Sequence, residues 1–229
     1  HTPERGLMVI AINSVTRLHT WRKTDDVRTP LASVNNTDFG GIMPAGEAII
    51  YHDGAHLLRC DFNGENVRDI TPDLPDFSPI SLSASLNGQM IGFTGVLPDG
   101  FSMYTLRADD VPQLLYKSTS PAYGPMLSYG AEVAVIAVSE RKKYGDMSLL
   151  AFDLTQSGAS QSVSVLEEAE GSIEPVAFSP VNGDLRLLAM TNATGYRRPL
   201  LWDADSGDRT DFPLEHIERL SKKLALRLP

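Results

Sequence analysis

With 229 residues, 42% of them hydrophobic, the chain carries enough apolar side chain for a packed core, which excludes a disordered polypeptide. Its 20 Lys and Arg stand against 29 Asp and Glu, and the resulting charge of −9 argues against a chain-wide grip on nucleic acid. The single cysteine, Cys60, excludes an intrachain disulfide, and apolar runs as short as Val133 to Val138 exclude a membrane-spanning helix.

The opening HTPERG has neither Met nor a signal-like apolar stretch, so a mature or trimmed chain is expected, with His1 a tag remnant. A repeat then begins. A glycine followed by a β-rich run recurs at Gly6 (RGLMVIAIN), Gly46 (AGEAIIYHD), Gly88 (NGQMIGFTG), Gly130 (YGAEVAVIAVS) and Gly183 (NGDLRLLAMT), at spacings of 40, 42, 42 and 53 residues. Each run is followed by a second strand-like stretch (RLHTWRK, HLLRCDF, SMYTLRA, SLLAFDL, PLLWDAD), then a polar turn and a shorter stretch such as VRDIT. Four runs are preceded by a short segment: FGGIMPA, ISLSASL, YGPMLSY and EPVAFSP. Alternation of apolar and polar positions rich in Val, Ile, Tyr and Phe favours strands. The repeated order is that of a four-stranded blade whose strands a, b, c and d run outward from a ring axis, so an all-β propeller of about five blades is predicted. The competing reading is a β-sandwich. Blade boundaries fall at about 5–36, 37–76, 77–118, 119–170 and 171–213, in a single domain.

The stretch AIIYHDGAHLLRCDFNGENVRDITP resembles the TolB-type propeller repeat, and EPVAFSPVNGDLRLLAMTNATGYRRPLLWDADSGDRTDF resembles the same repeat and its WD-repeat cousins. Five weak copies cover residues 5 to 213; units 3 and 4 depart from the pattern in their turns. The resemblance implies a propeller such as those of Tol-associated periplasmic proteins, sensor domains, or prolyl oligopeptidase-type peptidases. It leaves the compartment open, tilting it toward an extracytoplasmic one.

Unit 1 offers strands b (Met8 to Asn13), c (Arg17 to Lys23) and d (Val27 to Ala32) but no strand a. The segment 214–229 is surplus at the other end, so Leu224 to Leu228 is expected to supply that strand and close the ring. Ile217, Leu220 and Leu224 also fall at helical spacing, consistent with a helical turn over 214–222 before it.

Catalytic motifs are missing: the chain has no GxSxG, HExxH, Walker A or cysteine cluster, and no cofactor or metal is expected. DADSGD (Asp203 to Asp208) has the carboxylates of a calcium loop but suits a c-to-d turn better. The sequon-like Asn35 and Asn192 read as loop chemistry, His19 and His216 as surface or packing residues, and Cys60 as a small apolar residue. His52 and His56 flank Asp53-Gly54, where Asp and Gly tolerate the positive φ of a tight hairpin; two ligands are too few for a metal.

Blade order sorts the loops by face, with b-to-c turns and d-to-a links on one side and a-to-b and c-to-d turns on the other. On the b-to-c face Arg141, Lys142, Lys143, Tyr144, Tyr196, Arg197 and Arg198 gather on adjacent blades, sharing the face with His52 and His56. The c-to-d turns hold Asp25, Asp26, Glu65, Asp109, Asp110, Asp203, Asp205 and Asp208. A basic and aromatic sector fits a protein or peptide partner, an acidic segment included, through forked Arg hydrogen bonds and flat Tyr surfaces. The expectation is a non-enzymatic interaction or sensor domain without nucleic acid binding or membrane insertion. The alternatives are the gating propeller of a prolyl oligopeptidase-type peptidase and, lower, a propeller-fold lyase or glycosidase, for which Glu174 is the one obvious inward acid.

Overall fold

The computed structural model describes residues 5–12, 15–22, 25–30, 42–107, 111–141, 146–155 and 162–212. These form five antiparallel sheets, each built from strands in chain order. The first holds β1 (Arg5–Ile12), β2 (Val15–Arg22) and β3 (Asp25–Pro30). The second holds β4 (Ile42–Ala45), β5 (Ala48–His52), β6 (Leu57–Asp61) and β7 (Arg68–Asp69), and the third β8 (Ser78–Ala84), β9 (Met90–Leu97), β10 (Gly100–Arg107) and β11 (Gln113–Ser118). The fourth holds β12 (Ala122–Leu127), β13 (Val133–Val138), β14 (Ser148–Asp153) and β15 (Ser162–Leu166), and the fifth β16 (Ile173–Phe178), β17 (Arg186–Thr191), β18 (Arg198–Asp203) and β19 (Arg209–Asp211). The protein is thus all-β, with four blade-like four-stranded sheets. Among the described residues no helix is long and apolar enough to cross a membrane.

The first sheet has three strands. They begin and end one to three residues before the predicted b, c and d segments, and the predicted a strand, Leu224 to Leu228, lies outside the described residues, as does the helical turn over 214–222. The leading strands β4, β8, β12 and β16 lie side by side in that order, with β1 next to β4. From the second sheet to the fifth, consecutive sheets therefore pack face to face, and each of these interfaces is a layer of apolar side chains. Ala45, Ile50 and Leu57 meet Phe77, Ile91, Phe93 and Leu106 between the second and third sheets. Met90, Met103 and Leu115 meet Ala134, Ile136, Leu150 and Phe152 between the third and fourth. Val133, Val135 and Leu149 meet Leu187, Leu200 and Trp202 between the fourth and fifth. Packing on both faces explains why β13, VAVIAV, is apolar and buried at every position instead of alternating.

The repeated glycines have a backbone cause. Gly88 sits at φ 70°, and a Cβ there would lie 2.5 Å from the Cα of Gly46, so the a-to-b turns of the second and third sheets touch backbone to backbone. In the fourth sheet the left-handed position falls on Ala131, at φ 62°, one residue beyond the predicted Gly130. Serines close the same hairpins: the N–H of Ser85, Ser128 and Ser179 donates at 2.9 Å to the carbonyls of Met90, Val133 and Arg186.

Candidate functional site

The b-to-c turns and d-to-a links do share one face, and they are wired together. Phe77 N–H donates to Ala55 C=O at 3.3 Å, Lys117 reaches Asp99 at 2.5 Å, and Ser172 N–H donates to Asn192 Oδ1 at 2.7 Å. In each pair, one residue belongs to a link or its flanking strand and the other to a b-to-c turn.

The Asp53-Gly54 turn lies in the hairpin between β5 and β6, as predicted. His52 pairs with Leu57, leaving a four-residue loop in which only Gly54 takes positive φ, 112°. Asp53 instead works as an internal cap: its Oδ1 accepts the N–H groups of Ala55 and His56, each at 2.9 Å, which hold its carboxyl below the usual range. The two histidines diverge. His52 lies against Phe77, ring centroids 5.4 Å apart, and His56 places Nδ1 2.7 Å from Asp69. Among the described residues no three His, Cys, Asp or Glu side chains converge as metal ligands.

The basic sector takes a different form from the expected patch of open charge. Arg141 is held by Glu167 in a two-point pair whose shorter contact is 2.7 Å, and this partner raises its guanidinium further. Arg197 is bound by Glu174, the acid expected to face inward. Arg198 stands partly buried at the start of β18, its Nε enclosed by protein. Lys142, Lys143 and Tyr144 lie outside the described residues. Tyr196 is 76% exposed at the tip of the loop. Beside this sector, burial and the nearby Glu174 raise the Tyr123 phenol.

The residues that sequence reasoning missed are the acids facing the same way from the links and strand ends, Asp69, Asp76, Glu167 and Glu168, beside Glu140 of the b-to-c turn. Glu140 accepts hydrogen bonds from Tyr116 and from Ser118 (2.9 Å), and its own burial raises its carboxyl. Glu168 accepts from Thr191 at 2.8 Å and Arg209 at 2.7 Å. A count of the links as well as the turns would have found them, since EEAEG (167–171) follows β15 directly.

On the opposite face, Asp203 Oδ1 accepts the N–H groups of Asp205 and Ser206, both at 3.1 Å, and Gly207 turns at φ 81°, so DADSGD is a c-to-d turn. Asp25 and Asp26 lie in β3, Glu65 lies in the turn after β6, and Asp109 and Asp110 fall outside the described residues. Cys60 is buried, which pushes its thiol up to about 11 and leaves it without thiolate chemistry near neutrality.

Comparison with known proteins places this geometry. No protein-family model matches the sequence, and no curated protein sequence matches it. Among solved structures, the chain is similar to TolB from Acinetobacter baumannii, at TM-score 0.57 and 10% identity, over 91% of this chain and 52% of that one. The shared architecture is that of a β-propeller. It is also similar to an oligogalacturonate lyase in complex with manganese, at TM-score 0.68 and 11% identity, over 91% of this chain and 61% of that one. A third likeness is to a Mycobacterium tuberculosis puromycin-hydrolyzing peptidase, at TM-score 0.59 and 16% identity, over 93% of this chain and 38% of that one. The chain thus spans between half and three-fifths of the first two structures.

Proposed function

We propose that this chain is a non-catalytic propeller domain that binds a protein or peptide on the b-to-c face or in the central funnel it surrounds. The observation that carries this reading is the exposed Tyr196, mounted on a loop whose neighbours are fixed by the Arg197–Glu174 and Arg141–Glu167 pairs. A rigid rim presenting an aromatic side chain suits contact with a partner, because Tyr adds area at low entropic cost. The pairing of both arginines moves the reading away from strong electrostatic capture, so an acidic segment would have to compete with Glu167 and Glu174.

Panning a peptide library that contains acidic sequences tests this. Enriched peptides should bind Tyr196→Ala about tenfold more weakly, a loss of about 1.4 kcal/mol, with unchanged melting. Peptides indifferent to that change would remove the face from the reading. Reversing Arg197 is a poorer test, since Arg197→Glu would set two carboxylates against each other.

The second reading is a gating propeller in a prolyl oligopeptidase-type peptidase. Its support is the likeness to the puromycin-hydrolyzing peptidase, of which this chain covers little more than a third. A reading frame running past Pro229 into a GxSxG-bearing α/β sequence would favour it. The lyase or glycosidase reading has less support, because Glu174 is already engaged by Arg197.

We propose further that the first sheet is a fifth blade, completed by Leu224 to Leu228 as its strand a. Its support is that, among the described strands, none pairs with the edge of β1 facing away from β2. Removing the last six residues should then lower the melting temperature sharply, and unchanged melting would overturn the closure.

A further inference from the structure

The link 70–77, between β7 and β8, is strapped to the His52–His56 turn by more than backbone. Ile70 N–H donates to Leu57 C=O at 3.0 Å and Phe77 N–H to Ala55 C=O at 3.3 Å. Thr71, fully buried, accepts Leu57 N–H on its Oγ1 at 2.9 Å and donates its own N–H to Asp69 Oδ1 at 2.7 Å. Into this strap reaches His56, with 22% of its side chain exposed. Its Nδ1 lies 2.7 Å from Asp69 Oδ2, and its Nε2 lies 3.1 Å from the carbonyl oxygen of Leu74.

Both facing atoms accept and neither donates. A neutral imidazole carries one N–H and one lone pair, so it satisfies one of the two contacts and sets its lone pair against oxygen at the other. The imidazolium satisfies both. We propose that His56 is a pH-dependent staple: protonated, it clamps the 70–77 link onto the b-to-c turn of the second sheet, and deprotonated, it releases one end.

The charged surroundings agree. Asp69 at the end of β7, Asp76 on the link (3.9 Å from Nε2) and Asp53 on the histidine's own turn all favour the cation. His52, on β5, is the other titratable base beside Asp53. The hydrogen bond to Asp69 is the largest influence and raises the His56 imidazole above its ordinary value. A base whose folded value is raised contributes stability that is complete below the ordinary histidine value and is lost as pH rises through the raised one. The staple therefore holds below the ordinary histidine value and opens only as pH rises through the raised one. Turn and link together form the rim of the second sheet on the candidate face, so the device would make that part of the rim pH-responsive whatever binds there.

Ring-carbon NMR of the intact chain should show His56 titrating above an ordinary histidine. Amide exchange at Ile70, Leu74 and Phe77, corrected for intrinsic pH dependence, should accelerate about tenfold across that midpoint, the factor implied by losing one charge-assisted hydrogen bond. Asp69→Asn keeps an Oδ1 acceptor for Thr71 while removing the charge. It should lower the His56 midpoint and move the acceleration to lower pH with it. The proposal fails if His56 in the wild-type chain titrates at or below an ordinary histidine, or if the midpoint is raised but exchange in the link ignores it. The wild-type titration decides even should the variant misfold.

Discussion

The fourth and fifth sheets have the same strand order and comparable lengths, but their burial differs. In the fourth, all six residues of β13 and five of six in β14 are buried. In the fifth, burial alternates along β17 and β18. The reason is the number of neighbours. The fourth sheet is packed on both faces, whereas Leu187, Ala189, Leu200 and Trp202 on the fifth meet the fourth, and its other face, with Leu188 and Leu201 half-buried, is not packed on another described sheet. Composition follows: VAVIAV in the enclosed strand, RLLAMT in the half-open one. A period of two within a blade strand thus reports one covered face, and its absence reports two.

Substitutions can break or sharpen this contrast. Trp202→Ala, at the interface the two sheets share, should cost about 3–5 kcal/mol in denaturant unfolding. Ile136→Ala, inside the fourth sheet, should cost about 2–5 kcal/mol. Val176→Ala, at the exposed bulge of β16 in the fifth, should stay within about 0.5 kcal/mol. A loss at Val176 as large as that at Ile136 would mean that this bulge is covered in solution.

The smallest effects belong to the a-to-b turns. Glu132 accepts from Ser128 Oγ at 2.7 Å in the fourth sheet, and Asp184 is held by Arg186 at 2.7 Å in the fifth; these hydrogen bonds pull both carboxyls down. A lowered carboxyl contributes stability that is present above its ordinary value and lost as pH falls through the folded one. Melting measured as pH is lowered through and below the ordinary carboxylate range should therefore decline less steeply in Glu132→Gln and Asp184→Asn than in the wild type. An unchanged slope would show that the turn carboxylates play no part in acid unfolding.

The sequence carried the sheet order because the hairpins have local signatures: a left-handed residue at the a-to-b turn, joined by a serine in the third, fourth and fifth sheets, then an apolar strand. It also carried the face on which the described turns emerge. It carried the outermost strands more coarsely: VRDIT marks the place of β7, but the paired strand is only Arg68 and Asp69, both exposed. The state of the basic sector was hidden for another reason. Arg141 and Glu167 are 26 residues apart and Arg197 and Glu174 are 23 apart, so only strand geometry shows that these charges meet. The internal cap of the histidine turn was also hidden, because the dipeptide Asp-Gly does not specify that Asp53 bonds forward to two amides.

The central claim is that the b-to-c face is the binding face. A photoreactive amino acid placed at Tyr196, and in a separate chain at Ser206 on the opposite c-to-d turn, tests it against the peptides selected above. The account predicts efficient cross-linking from position 196 and none from position 206. Cross-links from 206 alone, or equal yields from both, would contradict it.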